Sequence, residues 1–152
     1  MADTTPFVPD GFDPPLGLTA DRFVLEPLGP QHTESDYDAW TSSIAHIRAT
    51  PGYSDGTWPH DMSLEENTGD LERHARDFEN RTGFTYTVLD PGSRQVVGCV
   101  YIYPSRRPEC DAQVQLWVRR SRAELDRPLW EAVRDWLAAD WPFTAVDNHG
   151  RG

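Results

Sequence analysis

VVGCVYIYPSRRPECDAQVQLWVRRSRAELDRPLW, residues 96–130, decides how this chain folds. Two alternating runs, Val96 to Tyr103 and Asp111 to Val118, flank a short polar segment holding Pro104 and Pro108, which is the pattern of a β-hairpin. An arginine-rich turn and a helical pattern follow directly. A strand that passes through a tight turn into a helix is one way a chain presents backbone N–H groups to phosphates.

Pairing Tyr103 with Asp111 sets Tyr101 opposite Gln113, Cys99 opposite Gln115 and Val97 opposite Trp117, all on one face. The other face, Val96, Gly98, Val100 and Ile102 beside Ala112, Val114, Leu116 and Val118, is wholly apolar and calls for a helix to bury it. The pattern from about Arg127 to Asp140 supplies one, with Leu129, Val133, Trp136 and Leu137 as its stripe. Tyr101, Tyr103, Asp111 and Gln113 on the first face line a solvated cleft, because buried polar groups need partners, or form a partly exposed sheet surface, or are separated by a register slipped by two residues.

Upstream, Asp21 to Leu28 alternates as a strand, and Gln31 to Arg48 reads as one helix with Tyr37, Trp40, Ile44 and Ile47 inward. The next dozen residues carry Pro51, Gly52, Gly56 and Pro59 and read as an irregular loop, a length that often lines a site. Its Tyr53, Asp55, Trp58 and His60 are candidate ligand contacts, and anchoring of the loop by Tyr53 and Trp58 is the alternative. Ser63 and Glu66 form a capping box for a helix running to about Asn80, with Leu64, Asn67, Leu71, His74, Ala75 and Phe78 on one side. Phe84 to Leu89 alternates as a strand and leads to Asp90-Pro91-Gly92-Ser93, a type II turn. The order is strand, helix, helix, three strands, helix and a last strand near Phe143 to Asn148.

The chain has 152 residues, 38% of them hydrophobic and 11% aromatic, enough for one core, so residues 21–152 read as one domain behind an extended, Pro-rich segment 1–20. No apolar run reaches the roughly 20 residues that span a bilayer, and the start lacks a basic end and an apolar core, so a cytoplasmic protein with no membrane partner is expected. Cys99 and Cys110 are not expected to pair, and the histidines follow no zinc spacing, so no metal is expected. A net charge of −11 argues against a nucleic-acid partner. The charge is uneven: residues 1–80 carry 16 acidic side chains and 4 arginines, residues 81–152 carry 9 and 10. Either this is a solvated acidic surface, or the acidic half faces a cationic substrate and the other half an anionic one.

The order of elements, the strand VVGCVYIY and the strand end LWVRRS together resemble the GNAT superfamily of acyl-CoA-dependent N-acetyltransferases over about residues 21–148. The resemblance implies an α+β fold, a mixed, mostly antiparallel sheet flanked by helices. It implies acetyl-CoA as cofactor, lying along Leu116, Trp117 and Val118, with its pyrophosphate on the turn that follows. It also implies direct attack by a small-molecule amine, with Asp111 as the base and Tyr103 and Gln113 beside it, and Tyr53, Trp58, His60 and Tyr101 around the acceptor.

That turn departs from the family pattern: Glu124, Asp126 and Pro128 stand where its glycines fall, and Pro128 has no N–H to donate. Arg119, Arg120, Ser121, Arg122 and Arg127 surround it instead, either as side-chain phosphate ligands or as partners of nearby acids. The family's fourth helix and last two strands have no counterpart after Asn148. Two functions follow as expectations: acetyl transfer to a small amine, or a GNAT-shaped ligand- or partner-binding module, with a homodimer through the last strand's edge as one form.

Overall fold

The computed structural model describes residues 6–152. Its elements are β1 (Leu18–Thr19), β2 (Val24–Pro27), α1 (Thr33–Thr41), α2 (Ile44–Arg48), α3 (Leu64–Glu79), β3 (Phe84–Leu89), β4 (Val96–Tyr103), β5 (Ala112–Val118), α4 (Asp126–Asp140) and β6 (Val146–Asp147). Short 3-10 turns precede α1 at Pro30–His32 and α4 at Arg120–Leu125. The six strands lie in chain order in one sheet, antiparallel throughout except for the parallel pair β5 and β6.

The α4 side of the sheet holds Val88, Val100, Ile102, Val114, Leu116 and Val118, buried against Leu129, Val133, Trp136 and Leu137, as the patterning predicts. The opposite side holds Leu89, Val96, Cys99 and Trp117, which meet Ala39 and Trp40 of α1 and Leu71 of α3. The capping box forms, with Ser63 Oγ accepting from the Glu66 N–H and Glu66 Oε1 accepting from the Ser63 N–H, each at 3.0 Å. Residues 6–17 run along the domain, where Phe7 stacks on Phe84 and Phe143, and Tyr86 donates its hydroxyl proton to the Pro15 carbonyl at 2.6 Å. The first five residues of the expected extended segment lie outside the described residues.

Four expectations are corrected. The helix read over Gln31 to Arg48 is broken at Ser42 and Ser43, because both hydroxyls donate to the Ala39 carbonyl, at 3.0 and 2.8 Å, and compete with the helical ladder. The hairpin register differs by two residues: Tyr103 pairs with Gln113, Tyr101 with Gln115 and Cys99 with Trp117. That shift keeps every side chain on its face and leaves Asp111 outside the strand.

A β-bulge at the start of β4 also separates Val96 from its expected face. Leu89 pairs with Val96 and Val88 with Gly98, so Val97 is unpaired and joins the α4 side while Val96 joins the other. The turn before β4 is not type II: the left-handed residue is Arg94 (φ 63°) and not Gly92, and the Asp90 carboxylate accepts from the N–H groups of Gly92 and Ser93. Finally, the edge strand β6 pairs through two residues only, a short template for a second copy.

Candidate functional site

On the α1 and α3 side of the sheet lies a cleft of about 790 Å³. Its floor is Tyr101, Gln113 and Gln115 of the hairpin, one wall is Asn67, Asp70 and His74 of α3, and its cover is the loop with Tyr53 and Trp58. The loop is fastened by Gln115 Nε2, which donates to the Gly52 carbonyl at 2.7 Å, and by the Tyr37 hydroxyl, which donates to the Met62 carbonyl at 2.6 Å. The Trp58 ring lies 5.5 Å from that of Trp40 and 6.0 Å from those of Tyr53 and Trp117. It both anchors the loop and lines the cleft.

His74 and Asn67 come from one face of α3, where their spacing of seven residues is two turns. The Tyr103 hydroxyl donates to Asp77 Oδ2 at 2.8 Å, so its oxygen is left to accept from His74 Nδ1, also at 2.8 Å, with Thr85 Oγ1 a further 3.0 Å neighbour. This network assigns the proton to Nδ1 and leaves Nε2 as an acceptor. Burial, helped by the Arg73 charge, brings His74 down to about 4 against the pull of Asp70 and Asp77, so the ring is neutral near pH 7.

Asp36 of α1 forms the second feature. It is 4% exposed, and its Oδ2 accepts from Asn67 Nδ2 at 3.1 Å, while Asn67 Oδ1 accepts from Trp40 Nε1 at 3.1 Å. Burial raises its carboxyl to about 6, with Asp70 adding to the shift and the Asn67 hydrogen bond opposing it. The Tyr53 hydroxyl is buried and has no hydrogen-bond partner among the described residues.

Of the acceptor-side residues expected from sequence, Tyr53, Trp58, Tyr101 and Gln113 come together in the cleft. Gln113 is itself engaged, donating to the Pro104 carbonyl and meeting His149 Nε2, both at 3.1 Å. Tyr103 stands behind His74 and does not line the cleft. His60 does not line it either; its Nδ1 lies 3.1 Å from its neighbour's carbonyl, that of Asp61.

Asp111 as base is corrected. Its two carboxylate oxygens accept from the backbone N–H groups of Thr144 and Ala145, both at 3.0 Å, outside the cleft. Partial burial pushes this carboxyl up, but those N–H groups outweigh it and hold the group below the usual carboxylate range. Sequence reasoning missed Asp36, Asp70 and Gln115 as cleft residues and left Asn67 and His74 as an α3 stripe. The signal was there in α3, where Asn67 interrupts an apolar stripe.

The turn from β5 to α4 is closed by the chain's own groups. Arg119 is buried and donates to the Val96 carbonyl, Ser121 Oγ and Asp38 Oδ2, at 3.2, 3.0 and 3.0 Å. Arg122 pairs with Asp90 and Glu124, each at 3.2 Å, and Arg127 donates to the Arg151 carbonyl. The N–H of Arg120 is spent on Ser43 Oγ at 2.9 Å and that of Arg122 on the Arg119 carbonyl at 2.9 Å. Leu116, Trp117 and Val118 have side chains sealed in the core, and the Leu116 carbonyl accepts from Arg151 at 3.2 Å. With carboxylates on the turn, Arg119 and Arg122 held by Asp38, Asp90 and Glu124, and the N–H groups of Arg120 and Arg122 spent, these residues do not fit a diphosphate, although the Arg120 side chain stays exposed.

No protein-family model matches the sequence, and no curated protein sequence matches it. Similar solved structures include the ribosomal-protein-S5-alanine acetyltransferase of Vibrio fischeri, at 14% identity and TM-score 0.60 over 81% of this chain and 67% of that one. The microcin C7 self-immunity acetyltransferase MccE, solved with acetyl-CoA and AMP, is similar at 12% identity and TM-score 0.56, over 81% of this chain and 67% of its own. A GnaT-family acetyltransferase from Bordetella pertussis matches at 17% identity and TM-score 0.54, over 83% of this chain and 74% of that one. The chain thus spans about two-thirds to three-quarters of the length of these relatives in fold. The strand order, the parallel pair β5 and β6 and these likenesses together give the chain the fold of the GNAT acetyltransferases.

Proposed function

We propose that this chain binds an amine in the cleft and takes its proton at His74, the acceptor half of an N-acetyl transfer. One observation carries the reading: a neutral imidazole on the cleft wall whose Nδ1 is tied into Tyr103 and Asp77, leaving Nε2 as the acceptor. An ammonium gives its first proton to solvent before it can attack; Nε2, too weak a base to strip it, accepts a hydrogen bond from the neutral amine and takes the second proton as the new C–N bond makes that nitrogen acidic. The fold, shared with acetyltransferases, supports the same reading. The cleft volume of about 790 Å³ suits a small molecule or the end of a peptide. The test is to follow the imidazole nitrogens by NMR while an alkylamine is added. A change centred on the His74 Nε2 resonance is expected, and an unmoved His74 in the presence of bound amine rules the role out.

Acetyl-CoA, found with MccE, does not fit the β5 to α4 turn of this chain. A second reading, binding without transfer, is favoured by Arg151, whose guanidinium holds the Leu116 carbonyl and Asp126 where the resemblance assigns the donor. Calorimetric titration with acetyl-CoA, and with CoA as control, separates the two. Micromolar binding lost on Arg119→Ala and Arg122→Ala supports transfer, and no heat at millimolar cofactor supports binding alone.

A further inference from the structure

We infer that the segment after β6 is an internal stopper: Arg151 closes the gap between β5 and β6, and its release admits the neutral, amide-bearing arm of an acyl donor. The inference rests on the acyl-transfer reading above, and it accounts for a donor site that the closed chain does not offer.

The gap is a consequence of the strand pairing. β6 accompanies β5 only at Ala112 and Gln113. Further along β5, the Arg119 N–H donates to the Val97 carbonyl at 2.8 Å, and alternate residues of an antiparallel strand turn their backbone groups the other way. The N–H and C=O groups of Leu116 and Val118 therefore face away from β4, on the side that β6 has left. An unpaired strand edge of this kind takes an extended chain carrying amide groups. What meets it here is a side chain. Arg151 donates to the Leu116 carbonyl at 3.2 Å and is held there by both oxygens of Asp126, at 2.9 and 3.1 Å.

The same segment borders the cleft. Asp147 and His149 line it, and His149 Nε2 lies 3.1 Å from Gln113 Oε1. A Cβ placed on Gly52 would meet the His149 ring at 3.4 Å, so the covering loop rests on the segment as well. Leu116 stands three residues beyond Gln113, about 10 Å along β5, so a chain lying in the gap delivers its end to the cleft where the amine meets His74. That adjacency favours the arm of an acyl donor over a peptide strand.

Tyr53 marks the junction. Burial pushes its phenol well up, Cys99 adds to the shift and the Arg151 charge opposes it, which sets the guanidinium within electrostatic reach of the ring. Its hydroxyl has no partner among the described residues. With Arg151 withdrawn, that hydroxyl is a donor for a carbonyl of the arm.

The contacts that hold the stopper are polar and reversible. Left-handed backbone at His149 (φ 57°) and Gly150 (φ 85°) turns the chain back across the gap. Asp126 is 33% exposed, so water and salt compete for the guanidinium.

The test is a titration with pantetheine, a diamide thiol that lacks the diphosphate the turn excludes, followed by NMR on the Leu116 and Val118 amides. Binding at least about tenfold tighter in Arg151→Ala than in the parent is expected, with Asp126→Asn, which keeps the arginine and loosens its grip, in between. A folding defect in Arg151→Ala leaves the second variant informative. Equal affinity in all three proteins, or binding in none, overturns the stopper, and a gain seen with a capped trialanine peptide but not with pantetheine overturns the choice of ligand. An alkylamine added to the same samples reads His74 separately. A responding imidazole beside equal pantetheine affinities leaves the amine reading intact, whereas a silent imidazole beside a pantetheine gain overturns that reading and leaves the stopper standing.

Discussion

Arg151 grips Asp126 through both carboxylate oxygens, at 2.9 and 3.1 Å, and reaches the Leu116 carbonyl at 3.2 Å. The guanidinium is 5% exposed and ties the segment after β6 to the first turn of α4. Asp126 is 33% exposed, so water partly replaces a lost partner there, and Arg151→Ala is expected to cost about 2 kcal/mol. Arg151→Lys, which lacks the fork, recovers less than half of that. Urea midpoints of the three proteins check both statements.

Asp36 and His74 give opposite pH slopes. The Asp36 carboxyl is raised from 3.8 to about 6, mainly by burial, so its contribution is full below the unfolded value and is lost as pH rises through about 6. His74 is lowered from 6.5 to about 4, mainly by burial, so the unfolded ring protonates first and stability falls as pH drops from about 6.5 through about 4. Each effect is worth roughly 3 kcal/mol across its window. Relative to the parent, stability of Asp36→Asn should climb more steeply with pH between about 4 and 6, and that of His74→Gln less steeply. Urea unfolding at several pH values reads both slopes, and parallel curves for all three proteins contradict them.

Asn67 serves two helices at once. Its Oδ1 accepts from Trp40 and its Nδ2 donates to Asp36, all within the buried interface of α1 and α3. Asn67→Ala leaves an indole N–H and a carboxylate without that partner and should cost about 3 kcal/mol. Asn67→Asp places two carboxylates together and should raise the Asp36 carboxyl further, seen by carboxyl NMR titration.

Gly83 lies directly under Tyr103, so a Cβ there meets the tyrosine ring. Gly83→Ala must move that ring and with it the hydroxyl that joins His74 to Asp77. The expected outcome is a His74 whose Nδ1 and Nε2 protonation become mixed, read from imidazole nitrogen shifts, with Tyr103→Phe giving the same signature. An unchanged spectrum in both variants removes Tyr103 from its positioning role.

The elements that carry strong periodicity were legible in the sequence: α3 with its capping box, α4 with its stripe, and strands β3 to β5. The hairpin register was not, because a shift of two residues preserves both faces and alternation alone does not distinguish the pairings. The bulge was hidden for a similar reason, since Val96 and Val97 are both apolar and each suits either side of the sheet. The break in α1 lay in the back-bonding of Ser42 and Ser43, a competition invisible to periodicity. In the site, aromatic residues of a long Gly- and Pro-containing loop announced themselves. Asp36 did not, because its role depends on Asn67 arriving 31 residues later from another helix.

The sheet also divides the six tryptophans into two groups. Trp40, Trp58 and Trp117 cluster on the cleft side, and Trp130, Trp136 and Trp141 lie in the α4 core. Ligand entry reaches the first set, whose member Trp58 is on the cleft wall, and leaves the second behind the sheet as an internal reference. A change in tryptophan emission on adding ligand is therefore expected to come from the first set and to report occupancy of the cleft in the unmodified chain, with no label attached.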